Sequence, residues 1–164
     1  MKKFIILFAV TVFACVNVFA QAMPEKGIVM RVGSGVAVID GERQNLDAAP
    51  EIIGERTFVP IRFCSQAMGA DVDYIDETNT VVIRKGSKTV ELIIGSVAYK
   101  VNGDILESDV APVIKNGRTL VPVRQVAESL DTQVQWYDEY NIVTVGFESA
   151  ETAVEEYLNG LFNE

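Results

Sequence analysis

The strongest constraint on this 164-residue chain is an internal repeat with a constant offset of 62 residues. The run RTFVPIR at 56–62 returns as RTLVPVR at 118–124. Aligned without a gap, 27–88 and 89–150 share 18 identities in 62 positions. Such a period indicates two copies of one supersecondary unit that bury matching side chains.

Each copy has the pattern of strands joined by tight turns, followed by a short helix and a hairpin. Asn102-Gly103 and Asp40-Gly41 predict two-residue hairpin turns, since these residue types accept positive φ. We therefore expect an α+β fold with two tandem modules, copy one at 27–88 and copy two at 89–148. Each module is predicted to be a roughly five-stranded antiparallel sheet curled around one short helix.

Proline places the predicted helices. Pro60 and Pro122 fit a first helical turn, where the missing N–H costs nothing. An apolar stripe follows, which predicts one buried helix face. In copy one this stripe contains Cys64, whose counterpart is Val126, so a core position is favoured over a reactive thiol.

The last segment, 149–164, lies outside the repeat. Val154, Leu158 and Leu161 are spaced as on one face of a helix. We expect a short amphipathic helix that caps an exposed edge of copy two.

The first residues have the pattern of an export signal. Lys2 and Lys3 precede an apolar run at 4–16, and small residues end at Ala20, which predicts a signal peptide over 1–20. An alternative is a lipidation motif ending at Cys15, but its bulky neighbours disfavour it. No later apolar stretch has membrane length, so we expect a secreted or envelope-associated protein with no transmembrane segment after cleavage.

Charge limits the partners. The formal net charge is −9, and loss of Lys2 and Lys3 makes it −11. An acidic body repels phosphate backbones and anionic lipid, which argues against binding nucleic acid or a membrane surface.

The motifs together resemble the copper amine oxidase N-terminal (stalk) domain family. They are Asn102-Gly103, the run 116–124 (NGRTLVPVR) and the strand 134–136 (VQW). The departures are Asp131-Thr132, where the family has Gly-Ala, and, in copy one, Tyr74 for Trp. This resemblance covers about 27–148 and implies strands wrapped on a helix, export, and a spacer or interaction role. It implies no amine oxidation, which belongs to a separate catalytic domain.

The absence of histidine from the sequence excludes the most common catalytic and metal sites. A copper site, the common zinc sites and any nucleophile with a histidine base are ruled out. We therefore expect no catalytic, cofactor-binding or metal-binding residues and no cofactor. Two alternatives use carboxylates: a calcium site at Asp71, Asp73, Asp76 and Glu77, and a glycosidase pair. A solvated acidic face is favoured over both.

Five residues are candidate ligand contacts: Arg62, Arg124, Trp136, Tyr137 and Tyr140. The arginines recur in both copies and suit a carboxylate or a glycan, although a pair with Gln66 or Glu128 four residues later is the simpler explanation. The aromatic residues, with Tyr99, would form a sugar platform if they faced solvent together, but Trp136 in the core with singly exposed tyrosines is favoured.

Two functions from different classes follow. The first is a non-catalytic exported stalk, spacer or protein-interaction module of the bacterial cell envelope. The alternative is a protein that binds cell-wall glycan or peptide. The partner, an envelope protein or a cell-wall polymer, is not identified by the sequence.

Overall fold

The computed structural model describes residues 27–147 and 149–162. The predicted signal peptide and Cys15 lie outside the described residues. The strands are β1 (Ile28–Arg31), β2 (Val36–Ile39), β3 (Glu42–Asn45), β4 (Glu51–Ile53), β5 (Arg56–Pro60), β6 (Asp71–Ile75), β7 (Thr80–Lys85), β8 (Lys88–Ile93), β9 (Ala98–Val101), β10 (Asp104–Glu107), β11 (Val113–Lys115), β12 (Arg118–Pro122), β13 (Val134–Tyr137) and β14 (Ile142–Val145). The helices are α1 (Ile61–Ala67), α2 (Val123–Ser129) and α3 (Glu151–Phe162), and a 3-10 turn spans Asp76–Thr78.

The predicted turn residues adopt the required conformations. Asn102 and Gly103 have φ of 52° and 92°, and Asp40 and Gly41 have 50° and 81°. Asp131 has φ of 51° at the end of α2, where copy one has a glycine. These values confirm the turns, because only residues that tolerate positive φ fit there.

All strand pairs are antiparallel, and they form three sheets. Sheet 1 has the order β13-β14-β1-β2-β3, and sheet 2 has the order β10-β9-β8-β7-β6. Sheet 3 is β11-β12-β5-β4. The α+β class and the antiparallel pairing agree with the sequence analysis.

The pairing within the sheets differs from the predicted modules. We expected each repeat to form its own sheet of about five strands, but each repeat supplies seven strands, and every sheet contains strands of both repeats. The cause is the two-residue turn at Gly86 and Ser87, which places β8 of copy two directly beside β7 of copy one. Each sheet therefore combines strands of copy one (27–88) with strands of copy two (89–148).

A pseudo-twofold relation organises this exchange. At the centre of sheet 3, Val59 pairs with Val121, flanked by two equivalent pairs of Phe58 with Pro122 and Pro60 with Leu120. Both central valines are fully buried.

Reciprocal hydrogen bonds show the same relation between the repeats. The Val32 amide donates to the Asn141 carbonyl at 2.9 Å, and the Ile94 amide donates to the Asn79 carbonyl at 2.9 Å. Each bond joins one repeat to the other at positions that differ by 62 residues. The second repeat is thus a structural counterpart of the first.

The main core lies between the sheets and the two short helices. Helix α1 packs against β5, β6 and β12, and α2 packs against β5, β12 and β13. Each helix thus contacts both repeats. The counterparts Met30 and Leu92 are fully buried, as are Ile83 and Val145.

Helix α3 builds a second, smaller core on the outer face of sheet 1. It does not cap an edge of copy two, as expected, because its apolar stripe meets an apolar sheet face made by both repeats. The Tyr157 hydroxyl donates to the Val36 carbonyl at 3.1 Å, and Arg43 donates to the Gly160 carbonyl at 3.2 Å. The buried members of this core are Val29, Ile142, Phe147, Ala150, Val154 and Tyr157.

Sheet 2 has an equivalent outer face, on which no helix of the described residues packs. Glu91 and Lys100 stand where sheet 1 has Val29 and Val38, and they form an ion pair at 3.4 Å. Arg84 pairs with Asp73 on the same face. The two repeats thus differ on these outer faces, since the sheet 1 face is buried under α3 and the sheet 2 face is exposed to solvent. No helix within 27–147 and 149–162 is both long and apolar enough to cross a membrane.

The exchanged pairing predicts that neither half folds alone. A 27–86 fragment keeps β1–β3 without their partners β13 and β14, so circular dichroism should show no cooperative melt. Mixed with an 87–164 fragment, it should regain a cooperative melt. The cut removes only the turn between β7 and β8, and the equivalent pair β14–β1 already forms without a connecting turn. A sharp melt of either fragment by itself would contradict this.

The second core predicts that loss of α3 lowers stability and that charged residues on the exposed sheet 1 face restore part of it. Removing 151–164 should lower the free energy of unfolding by about 3 kcal/mol, since each buried apolar side chain exposed costs about 1.5–3 kcal/mol. Adding Val29→Glu with Val38→Lys to the shortened chain should recover part of this loss by copying the Glu91–Lys100 pair. Urea denaturation measures both. Equal stability of the full and shortened chains would be the opposite result.

Candidate functional site

Two open grooves, equivalent under the 62-residue offset, are the candidate sites. Each lies between the start of a short helix and the sheet 3 hairpin of the other repeat, and their volumes are about 420 and 400 Å³. Groove 1 is lined by Asp47, Pro60, Ile61, Arg62, Val72, Asp73, Tyr74, Val81, Ile114, Gly117, Arg118 and Thr119. Groove 2 is lined by Ile52, Glu55, Arg56, Thr57, Pro122, Val123, Arg124, Val134, Trp136, Asp138, Asn141 and Val143.

Groove 1 contains two arginines in different situations. Arg118, from β12, forms an ion pair with Asp47 at 2.6 Å. Arg62, in the first turn of α1, is exposed and has no ion pair or hydrogen bond within the described residues. The groove therefore holds one compensated and one uncompensated guanidinium.

Groove 2 repeats this arrangement with one change. Arg56, from β5, is paired with Asp109, and Arg124 of α2 is exposed without a partner in the described part of the chain. Glu55 and Asp138 also line this groove. Groove 1 has the carboxylates Asp47 and Asp73, but each of them is paired with an arginine, so groove 2 is the less positive of the two.

An aromatic ring forms one wall of each groove. The Tyr74 hydroxyl lies 3.0 Å from Asn79 Oδ1, and Trp136 Nε1 donates to the Asp138 carboxylate. Since the polar end of each ring is already bonded, the rings offer the grooves mainly apolar surface. Ile114 and Ile52, from the opposite hairpins, are about half exposed beside them.

The structure separates the five predicted ligand contacts. Arg62 lines groove 1, and Arg124 and Trp136 line groove 2. Tyr137 and Tyr140 instead pack on the α3 core, and Tyr99 packs on the main core. These aromatic residues therefore do not share one surface, and Trp136 also packs on the main core, in line with the favoured interpretation.

The two tyrosines beside α3 have raised pKa values for different reasons. Burial raises the pKa of Tyr137, with a further contribution from the charge of Glu151. The neighbouring Glu139 carboxylate is the main cause of the raised pKa of Tyr140. Both groups are therefore neutral at ordinary pH, as an α3 contact requires.

The simpler explanation of the repeated arginines is wrong for copy two. Within the described residues there is no ion pair between Arg124 and Glu128. Arg124 points instead into groove 2.

The acidic residues are dispersed in the described structure. Asp73 is paired with Arg84 in sheet 2, while Asp76 and Glu77 are exposed in the 3-10 turn. Among the described residues, no three acidic or cysteine side chains are placed so that they could hold a metal ion.

Cys64 lies in the main core. Its Sγ is 3.9 Å from the Met30 sulfur, and burial raises the pKa of the thiol well above its ordinary value. A thiolate is therefore strongly disfavoured at this position.

Sequence reasoning missed four groove residues: Ile52, Ile114, Arg56 and Arg118. They lie on the sheet 3 hairpins, where the repeat supplies them to the opposite groove. All four are identical under the 62-residue offset, and that identity was the available signal.

Comparison with known proteins identified one family. The family described as the copper amine oxidase N-terminal domain matches residues 18–81 and 38–145. The two matches overlap and are consistent with tandem copies. No curated protein matches the chain.

Burial of Cys64 predicts a pH dependence of stability. Above the ordinary thiol pKa of about 9 the unfolded chain ionises while the folded chain does not, so stability is lost as pH rises. Relative to Cys64→Val, which copies Val126, the wild type should lose about 1 kcal/mol or more between pH 8 and pH 10. Urea denaturation at both pH values measures this. Parallel pH profiles of the two proteins would refute it.

Proposed function

Because the chain belongs to the copper amine oxidase N-terminal domain family, we propose that it is a non-catalytic, exported module of the bacterial cell envelope that binds another protein. The family is a non-catalytic domain of copper amine oxidases. The lack of histidine in the sequence supports the same conclusion. Export is proposed from the signal pattern at 1–20.

The observation that carries an interaction role, rather than a spacer role alone, is the edge strand β10. Ile105 is 72% exposed and Leu106 is 43% exposed. In the described structure, β10 pairs only with β9, so its other edge presents free backbone groups. Exposed apolar edge strands are suited to pairing with an extended segment of a partner.

The counterpart edge in sheet 1 is protected. At the positions of Ile105 and Leu106, β3 has Arg43 and Gln44, and Arg43 bonds to the end of α3. The repeat thus offers one apolar edge and one polar edge. Asp104 and Glu107 flank the apolar pair, which favours a partner strand with basic and apolar residues.

A second candidate function is binding of cell-wall glycan or peptide. It is favoured by the two grooves, each with an uncompensated arginine beside an aromatic ring. Retention of the protein on purified peptidoglycan at low salt tests this candidate, and passage through the column counts against it.

The edge-strand proposal predicts a position-specific crosslink. A photoreactive residue at Glu107 should give a discrete adduct in native envelope, while one at Asn45, its counterpart on β3, should not. Ile105→Arg with Leu106→Gln, which copies β3, should abolish the adduct and change stability by only about 0.5 kcal/mol.

Two results would count against the edge-strand proposal. One is an equal adduct from both positions, and the other is an adduct that survives the double substitution. A melting curve of the variant verifies that it is folded.

A further inference from the structure

The inference concerns the ligand class of the two grooves and rests on the second candidate function. Four of the seven arginines in an acidic chain line these grooves: Arg56, Arg62, Arg118 and Arg124. Two of them are neutralised by Asp47 and Asp109. One arginine in each groove thus has no ion-pair partner within the described residues.

Identity between the repeats supports a role beyond folding. Most identical positions are turn residues, core residues or members of ion pairs, whose structural role is evident. Arg62 and Arg124 have no partner in the described structure, and Ile52 and Ile114 are 52% and 51% exposed. Neither full burial nor an ion pair accounts for these four side chains, yet they are duplicated and line the same grooves.

The chemistry of the walls selects the ligand. The Tyr74 hydroxyl and the Trp136 indole N–H are used internally, so the rings offer few free groups to sugar hydroxyls. What remains is a guanidinium beside an isoleucine and a ring surface. A guanidinium pairs with a carboxylate through two parallel hydrogen bonds, and the apolar wall accepts an aliphatic side chain.

We propose that the grooves bind peptide carboxylates that are flanked by apolar residues, with Arg62 and Arg124 as the carboxylate-binding groups. Groove 1 is the tighter site, because its two carboxylates, Asp47 and Asp73, are paired with arginines. The groove 2 carboxylates Glu55 and Asp138 have no arginine partner in the described structure. The source is a peptide, such as the peptide part of a cell-wall polymer or an acidic protein segment.

The test uses two peptides that differ only in charge, acetyl-Leu-Glu-Leu-amide and acetyl-Leu-Gln-Leu-amide. The full chain should bind the glutamate peptide about two- to fivefold more tightly than the glutamine peptide at low salt, as expected for an exposed ion pair. Calorimetry should resolve two unequal sites. Since Trp136 is the sole tryptophan, its fluorescence reports groove 2, and the exchange Tyr74→Trp with Trp136→Tyr moves the reporter to groove 1.

Variants assign the sites. Arg62→Gln should remove the tighter site, and Arg124→Gln should remove the fluorescence response of Trp136. Arg62→Lys should keep part of the affinity for the glutamate peptide. Arg31→Gln, an exposed arginine outside both grooves, is the matched control and should leave two sites. Melting curves establish that each variant is folded.

Equal binding of the two peptides, or unchanged binding by the Arg62→Gln and Arg124→Gln variants, would overturn the inference. Peptide binding without retention on peptidoglycan would leave the carboxylate sites in place and remove the cell-wall function. Peptidoglycan retention that persists in both arginine variants would keep that function and reject these grooves as its site. A third peptide, acetyl-Leu-Ala-Leu with a free terminal carboxylate, shows whether the grooves bind a terminal carboxylate as well as a side-chain carboxylate.

Discussion

The pairing of strands between the repeats determines the rest of this structure. The β7–β8 pair and the β14–β1 pair are equivalent in register, with Ile83 opposite Val90 and Val145 opposite Ile28. Only the first is closed by a turn; the second is held by strand pairing and by packing. Together they close the two repeats into one core, in which neither repeat completes a sheet by itself. A module of about 60 residues buries too little apolar surface to be very stable by itself. Strand pairing between the repeats lets each repeat bury apolar side chains against the other.

Once the core is closed in this way, the outer faces are free to diverge. Helix α3 requires an apolar face, so sheet 1 has Val29 and Val38 where sheet 2 has Glu91 and Lys100. The solvated face of sheet 2 uses cross-strand ion pairs instead, which suit a wet surface. The same divergence leaves β10 as an apolar edge while β3 is polar and held by α3. Differences between the repeats therefore identify the surfaces, and identities identify the core, the turns and the grooves.

The sequence was sufficient for the local structure, because turns and short helices depend on nearby residues. Asn102-Gly103 and the helix stripe each determined their own element. Pro122, expected in the first helical turn, instead ends β12 and is the extended residue just before α2. Strand partners were harder, since the 62-residue offset is the same whether strands pair within or between repeats; only the short turn at Gly86 distinguished the two. Tyr137 lies on the α3 core and not in a groove, a placement that the strand period contained: Trp136 and Tyr137 are neighbours on β13, so they face opposite sides of the sheet. Arg62 and Arg124 were found from their repetition. That each lies in one groove with an isoleucine from a hairpin of the other repeat could be seen only in the folded structure.

The pseudo-twofold relation also gives the grooves a consequence that one repeat could not have. Two sites on one closed body meet a repetitive ligand at a defined separation, so the second contact is intramolecular once the first is made. Individually weak carboxylate contacts at Arg62 and Arg124 can then hold a polymer that presents many equivalent groups, while a single free peptide dissociates readily. The exposed setting of both guanidiniums fits this use, because solvent and salt weaken each contact alone. Under the proposed binding role, duplication of the module would supply avidity in addition to the shared core, because the symmetric pairing of β5 with β12 relates the two grooves.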